Sequence, residues 1–187
     1  MTVLALGVVF LAVLHLVAAV PQLKQRMKQA VGDRAYGPVF GLISLAAVAV
    51  IVLGWRLSEF VPVYEPATWG RHANYLLTFI AFLFLGVFLF RGSWRQALRF
   101  PMGLAAAFWA SGHLLANGDK ASLILFGGLL IYVLLHMAIG FVSGTRPSGE
   151  VRNGHNMLSM LAGAALYGAM VQLHGAVIGV PVFDLGL

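Results

Sequence analysis

Three histidines in this 187-residue chain fall where an imidazole is expensive to keep: His15, His113 and His136 all lie inside long apolar runs. An ionisable group in a membrane-like interior is a functional-site candidate by default. The stretch Ala107-Phe108-Trp109-Ala110-Ser111-Gly112-His113-Leu114-Leu115-Ala116-Asn117-Gly118-Asp119 sets one imidazole just before an Asn-Gly turn. The other three histidines are cheaper. His72 and His155 sit at run edges where water can reach them, and His174 lies near the end of the last run beside Gln172. There is no cysteine, which excludes disulfides, thiolate metal sites and a cysteine nucleophile.

The elements that must position these side chains are membrane helices. The chain is 60% hydrophobic and 10% charged, with mean hydropathy +0.90, far from the roughly 25% charged composition of a soluble domain. Six apolar runs, at about 2–20, 37–57, 72–90, 101–117, 121–142 and 157–176, are each close to the roughly 17–25 residues that cross a bilayer as a helix. The expected fold is all-α, a polytopic membrane bundle of about six transmembrane helices forming a single domain over 1–187, without internal repeats. Nothing basic precedes the first run, so it reads as a retained helix and not a signal peptide. Lys24, Arg26, Lys28, Arg34, Arg91, Arg95, Arg99, Arg146 and Arg152 fall on one side of the bundle, against Arg56, Arg71 and Lys120 on the other. This bias puts both termini outside the cytoplasm.

The loops carry further expectations. The tight turn at 117–120 makes the fourth and fifth helices antiparallel neighbours, with Asn117 or Gly118 in a left-handed closing position and Asp119 capping the fifth helix. Residues 21–36 extend the first helix or form a short interfacial one, 58–71 form an outer loop, and 143–156 form a flexible cytoplasmic loop. Gly163, Gly168, Gly175 and Gly179 mark the sixth helix for close packing, within the chain in preference to a dimer face.

Depth along the helices puts His15 and His113 on the order of 8–10 Å apart. Because each Cα–Cβ bond tilts towards its own helix N-terminus, the two imidazoles lean towards one level from antiparallel helices. Zinc would need three or four ligands, and no acid lies inside the spans to complete the set. A haem iron needs one or two axial ligands and a wide apolar pocket, which Phe82, Phe84, Phe108 and Trp109 could line. On the residues alone, haem ligation and plain hydrogen bonding across the bundle both stay open, with His136 as an alternative partner to either histidine. Arg34 and Arg99 at the cytoplasmic edge could meet anionic haem propionates.

Two stretches add a resemblance. Gly32-Asp33-Arg34-Ala35-Tyr36-Gly37-Pro38-Val39-Phe40-Gly41-Leu42-Ile43-Ser44 and Gly112-His113-Leu114-Leu115-Ala116-Asn117-Gly118-Asp119, followed by Ala121-Ser122-Leu123-Ile124-Leu125-Phe126-Gly127-Gly128, resemble the signature stretches of the NnrU family. The resemblance runs from the first helix to the fifth. It implies a multi-pass protein of the bacterial inner (cytoplasmic) membrane, linked to nitrite and nitric oxide metabolism. The family also includes the 15-cis-ζ-carotene isomerase, a haem b enzyme, whose two implicated histidines correspond by position to His15 and His113. Two departures stand out. Phe100-Pro101 replaces the family's usual His-Pro, and Ala110 replaces the isomerase branch's cysteine one turn before the second histidine.

The expected function is therefore a haem-b-binding inner-membrane protein with His15 and His113 at the iron. Either it isomerises a lipophilic, carotenoid-like polyene in a redox-dependent way, or it is a non-enzymatic electron-transfer, NO-sensing or accessory protein. A transporter is disfavoured by the absence of any Asp, Glu, Lys or Arg in the helix centres and of an inverted repeat. Nucleic-acid binding, hydrolysis and phosphoryl transfer have no supporting motif.

Overall fold

The computed structural model describes residues 1–182, and these are helical throughout apart from connecting loops. In chain order the helices are α1 (Thr2–Ala19), α2 (Pro21–Val31), α3 (Asp33–Arg56), α4 (Gly70–Leu89), α5 (Ser93–Leu98), α6 (Pro101–Ala116), α7 (Lys120–Val142) and α8 (His155–Ile178). All six apolar runs are helices. Five of them, α1, α3, α4, α7 and α8, are long and apolar enough to cross a membrane. With 16 residues, α6 spans about 24 Å, short of a hydrocarbon core of about 30 Å.

The polar segment after α1 is a separate helix for a local reason. Val20 precedes Pro21 and is pushed into extended backbone (φ −82°, ψ 116°), while Pro21 opens α2 at a position where its missing N–H costs nothing. Gly32, at φ 85°, separates α2 from α3.

The spanning helices pack in the order α3, α1, α7, α6, α4, α8. Chain order and spatial order differ, because α7 inserts between the α1–α3 pair and the α4–α6 pair. The antiparallel α6–α7 pair follows from the tight turn, as expected. Large apolar side chains face outwards along these helices, including Leu6, Leu42, Phe141 and Leu161, each more than 60% exposed. The buried positions are mostly small: Ala47, Ala81, Ala105, Ala110 and Ala121. Outward-facing large groups and small residues at helix contacts are the pattern of a bundle surrounded by lipid.

Glycines mark the closest approaches. A Cβ on Gly128 of α7 would come within 2.6 Å of Val8 on α1, and one on Gly7 within 2.9 Å of Ile51 on α3. A Cβ on Gly163 of α8 would lie 2.6 Å from the Phe82 carbonyl oxygen on α4, and one on Gly86 of α4 would overlap the Ser159 backbone of α8. Intramolecular packing thus accounts for Gly163. Gly168 faces open space, and Gly179 ends α8 in a left-handed conformation (φ 91°).

Two loops differ from expectation. Neither Asn117 (φ −128°, ψ 119°) nor Gly118 is left-handed. Gly118 is needed because the 58–69 loop crosses directly over it. Its carbonyl accepts from the backbone N–H groups of Val63 (2.8 Å) and Tyr64 (3.1 Å), and a Cβ there would overlap the Tyr64 carbonyl. Asp119 does cap α7, its carboxylate accepting from the Ser122 N–H at 3.0 Å and from the Ser122 hydroxyl. The 143–156 loop, expected to be flexible, is tied down instead. The Arg152 N–H donates to the Arg91 carbonyl (2.8 Å), and the Gln96 amide donates to that of Gly149 (3.1 Å).

The glycine contacts make a paired prediction. Gly86→Ala should lower stability by about 1–3 kcal/mol through overpacking of α4 on α8. Gly168→Ala should raise it by about 0.5–1 kcal/mol through helix entropy alone. Thermal unfolding of both variants in one detergent would check the contrast.

Candidate functional site

Two of the three intramembrane histidines are anchored in the same way. The Nδ1 of His15 lies 3.0 Å from the Leu11 carbonyl oxygen, and the Nδ1 of His113 lies 2.9 Å from that of Trp109. A carbonyl can only accept, so Nδ1 carries the proton in both rings and Nε2 is left with its lone pair. This is the tautomer of a metal-ligating histidine whose second nitrogen is oriented by a backbone carbonyl. Both bonds run to the residue one turn earlier, so each imidazole folds back towards its own helix N-terminus. The chain directions of α1 and α6 turn these two leans towards one another.

Their surroundings differ. His15 meets the edge of Phe40 on α3 (ring centroids 5.0 Å) and of Tyr132 on α7 (5.8 Å). Tyr132 in turn meets His136, one turn along α7, at 6.0 Å. The structure thus gathers His15 and His136 around one phenol ring. No hydrogen bond orients the His136 ring, which sets it apart from the other two.

His113 belongs to a second aromatic group. Its ring stacks on Phe126 (4.4 Å, 26° between planes) and approaches Trp109 at 5.0 Å. Phe126 also meets Trp109 (5.0 Å) and, from α3, Trp55 (6.2 Å). Phe126 sits in a π-helical turn of α7, Leu123–Gly127. Such turns are rare and recur at functional sites.

Helix α7 packs against both α1 and α6, and each histidine meets a ring on it. The rings they touch on it, Phe126 and Tyr132, are six residues apart, which is about 9 Å along the helix. Among the described residues no group of three or more His, Cys, Asp or Glu could hold a metal ion. The donor set is therefore one or two imidazoles in an aromatic, apolar setting. That fits a macrocyclic iron centre, which brings its own equatorial ligands.

The remaining histidines have local duties. His155, the first residue of α8, accepts the Arg91 N–H on its Nδ1 (3.1 Å), which pins the start of α8 to the end of α4. His174 donates from Nδ1 to the Val180 carbonyl (2.5 Å). His72 meets the edge of Tyr75, at 6.1 Å.

A family model described as NnrU protein matches residues 3–182. The chain belongs to the NnrU family. The match takes in every helix that carries a histidine. No curated protein and no solved structure matches the chain significantly.

Within this NnrU chain the two arginines singled out beside the histidines behave differently. Arg34, in the first turn of α3, is exposed and two residues before Tyr36, whose ring stacks on Phe40 (5.7 Å) next to His15. Arg99 is committed elsewhere. Its guanidinium donates to the carbonyls of Thr145 (2.7 Å), Gly140 (3.0 Å) and Phe141 (3.0 Å), and lies over the rings of Phe141 and Phe100. It is also the one non-glycine residue with positive φ (62°) among those described. Arg99 closes the C-terminus of α7 and holds the following loop.

Sequence reasoning missed Tyr132, Phe126, Phe40 and Trp55. Tyr132 and His136 stand four residues apart, a readable helix-face pair. The other three depend on which helices touch.

The Arg99 clamp predicts that Arg99→Gln frees the 143–156 loop. Limited trypsin digestion should cut after Arg152, the loop arginine not followed by proline, several times faster than in the wild type, with helical content unchanged by circular dichroism.

Proposed function

We propose that the protein binds haem b within the membrane, with His15 and His113 as the residues that would hold its iron, together or one of them with a labile partner, and with the basic loops on the cytoplasmic side of a bacterial inner membrane. The observation that carries this reading is the pair of Nδ1–carbonyl bonds, which leaves an Nε2 lone pair on His15 and on His113 but fixes no such tautomer on His136. When bound, the haem would supply a one-electron redox couple and an iron site for a small ligand or a double bond.

The chain's own residues do the rest. The Leu11 and Trp109 carbonyls hold each ring in place and raise the basicity of its free nitrogen. Phe126, Trp109 and Trp55 keep water from the His113 side. Arg34 is free to receive an anionic propionate near the His15 side, whereas Arg99 is already engaged. His136, across Tyr132 from His15, is the alternative second ligand.

Of the finer readings, electron transfer or nitric oxide sensing has the better support. Ala110, one turn before His113, is fully buried, and no thiolate exists in the chain to exchange with an imidazole. Isomerisation of a lipophilic polyene is the enzymatic alternative.

An absorption spectrum of protein expressed with added haem tests the proposal. A Soret band is expected in the wild type, lost or strongly shifted in His15→Ala and His113→Ala and retained in His136→Ala. No band in the wild type, or a band indifferent to both substitutions, would overturn it. A band lost in His136→Ala but kept in His113→Ala would move the second ligand to α7. Co-expression with a pathway that accumulates 15-cis-ζ-carotene separates the finer readings, since only an isomerase changes the pigment profile.

A further inference from the structure

At the end of the bundle that carries the basic loops, α5 lies across α4 and leaves a groove. Trp94, Ala97 and Leu98, at the i, i+3 and i+4 spacing of one helix face, form one wall. Ile80, Leu83, Phe84 and Val87 of α4 and Met160 of α8 form the rest. The cavity is about 390 Å³ and its lining is wholly apolar, a size within the roughly 300–1,000 Å³ of small-molecule sites. Trp94 and Leu98 are 44% and 36% exposed, so the groove is open at its rim and continuous with the surroundings of the bundle.

Beside the groove, Arg91 and Arg95 make no ion pair with any described residue. Arg95 follows Trp94 directly and lies over the Phe88 ring at 5.6 Å, one residue from the groove wall at Val87. Arg91 is one turn earlier, and only its backbone N–H and carbonyl are used, in bonds to His155 and Arg152. Both arginines line a small polar recess next to Glu150, yet the one ion pair among the described residues is Lys28–Asp33. Arg99, four residues beyond Arg95, shows the contrasting case of a guanidinium satisfied by carbonyls.

An apolar groove open to lipid beside two unpaired arginines matches one ligand chemistry, an acyl chain joined to an anionic headgroup. We propose that this groove binds a phospholipid of net negative charge, with one acyl chain between α4, α5 and α8 and the phosphate on Arg91 and Arg95. Guanidinium–phosphate pairing is a strong charge-assisted contact, and basic pockets between membrane helices bind anionic lipid headgroups in this way. A zwitterionic lipid would fill the groove equally well but would bring a cation to a site that already holds two. The proposal does not depend on haem binding.

Trp94 is a reporter built into the wall. The experiment titrates the purified full-length chain, in zwitterionic detergent, with phosphatidylglycerol or phosphatidylcholine carrying brominated acyl chains. The Trp94 contribution is the difference in fluorescence quenching between wild type and Trp94→Phe. Phosphatidylglycerol should quench Trp94 at a lower mole fraction than phosphatidylcholine. In Arg91→Gln/Arg95→Gln the advantage should fall by about fivefold for each arginine removed. Ala97→Phe, which narrows the groove at an exposed position, should weaken quenching by both lipids. The folded state is checked by circular dichroism, and the arginine side chains make no hydrogen bond whose loss would disturb it. Coincident curves for the two lipids, or an anionic preference that survives the double substitution, would overturn the proposal. Displacement of the brominated lipid by glycerol phosphate at comparable concentration would also overturn it, because the headgroup alone would then account for binding.

Discussion

In hydrocarbon a backbone N–H or C=O without a protein partner costs several kcal/mol, and much of this structure is arranged to avoid that cost. The shortest of the six apolar helices shows it best. At 16 residues, α6 ends before the lipid does, so its terminal groups and the turn that follows must be satisfied within the protein. At one end the Tyr64 hydroxyl is shared between the Leu114 and Asn117 carbonyls, and the Asn117 side chain donates to the His113 carbonyl at 2.9 Å. The Asn117–Lys120 turn pairs with the 61–64 segment almost as a strand would, through Gly118 and through the Lys120 N–H donating to the Val61 carbonyl (2.8 Å). At the basic end Arg99 gathers three carbonyls of its neighbour α7 and the loop beyond. The histidine bonds belong to the same economy, because His15 and His113 each give their one N–H to a carbonyl of their own helix.

The central place of α7 follows from a different constraint. Without a hydrophobic effect between helices in lipid, contact area depends on how near two backbones can come. Gly128 removes the side chain that would hold α1 away, and Gly112 on α6 opens a like space for Asn74 and Leu77 of α4. Once seated between α1 and α6, α7 supplies the rings that both histidines meet. The π-helical turn at Leu123–Gly127 matters here, since one extra residue in a turn rotates the positions on either side of it relative to a regular helix. Phe126 within the turn and Tyr132 beyond it reach different neighbours partly for this reason.

Much of this was legible in the amino-acid sequence, and the division is physical. Helix existence was readable because runs such as 37–57 and 121–142 are apolar throughout, and the Asp119 cap was readable because capping is local chemistry. The role of Gly118 was not. A glycine after asparagine suggests a left-handed turn, whereas the real demand comes from the Tyr64 backbone more than fifty residues earlier in the chain. The order α3–α1–α7–α6–α4–α8 was equally hidden, since apolar all-round helices carry no face that declares its neighbour. For the site, the types and depths of His15 and His113 were visible, and so was the direction of their lean. The identity of the rings between them was not, because Phe126 and Tyr132 look like ordinary membrane-helix residues until packing is known.

Arginine use at the basic end makes a last distinction that counting charges misses. Nine lysines and arginines share that end, and as a group they only orient the chain. Individually they divide by what their charge meets. Arg99 is spent on carbonyls, so its replacement by another cation of different shape would break a planar fork of donors. Lys28 is paired with Asp33. Arg34, Arg91 and Arg95, like Lys24, Arg26, Arg146 and Arg152, make no ion pair among the described residues, which leaves each open to water or to an anion from outside the protein. Arg34 stands near the His15 group, and Arg91 and Arg95 near an apolar groove at another corner of the bundle. Each places an unpaired cation near apolar or aromatic side chains. That arrangement suits amphiphiles with an anionic end, whether a macrocycle with carboxylates or a lipid with a phosphate, and it makes the two locations separable by which arginine is removed.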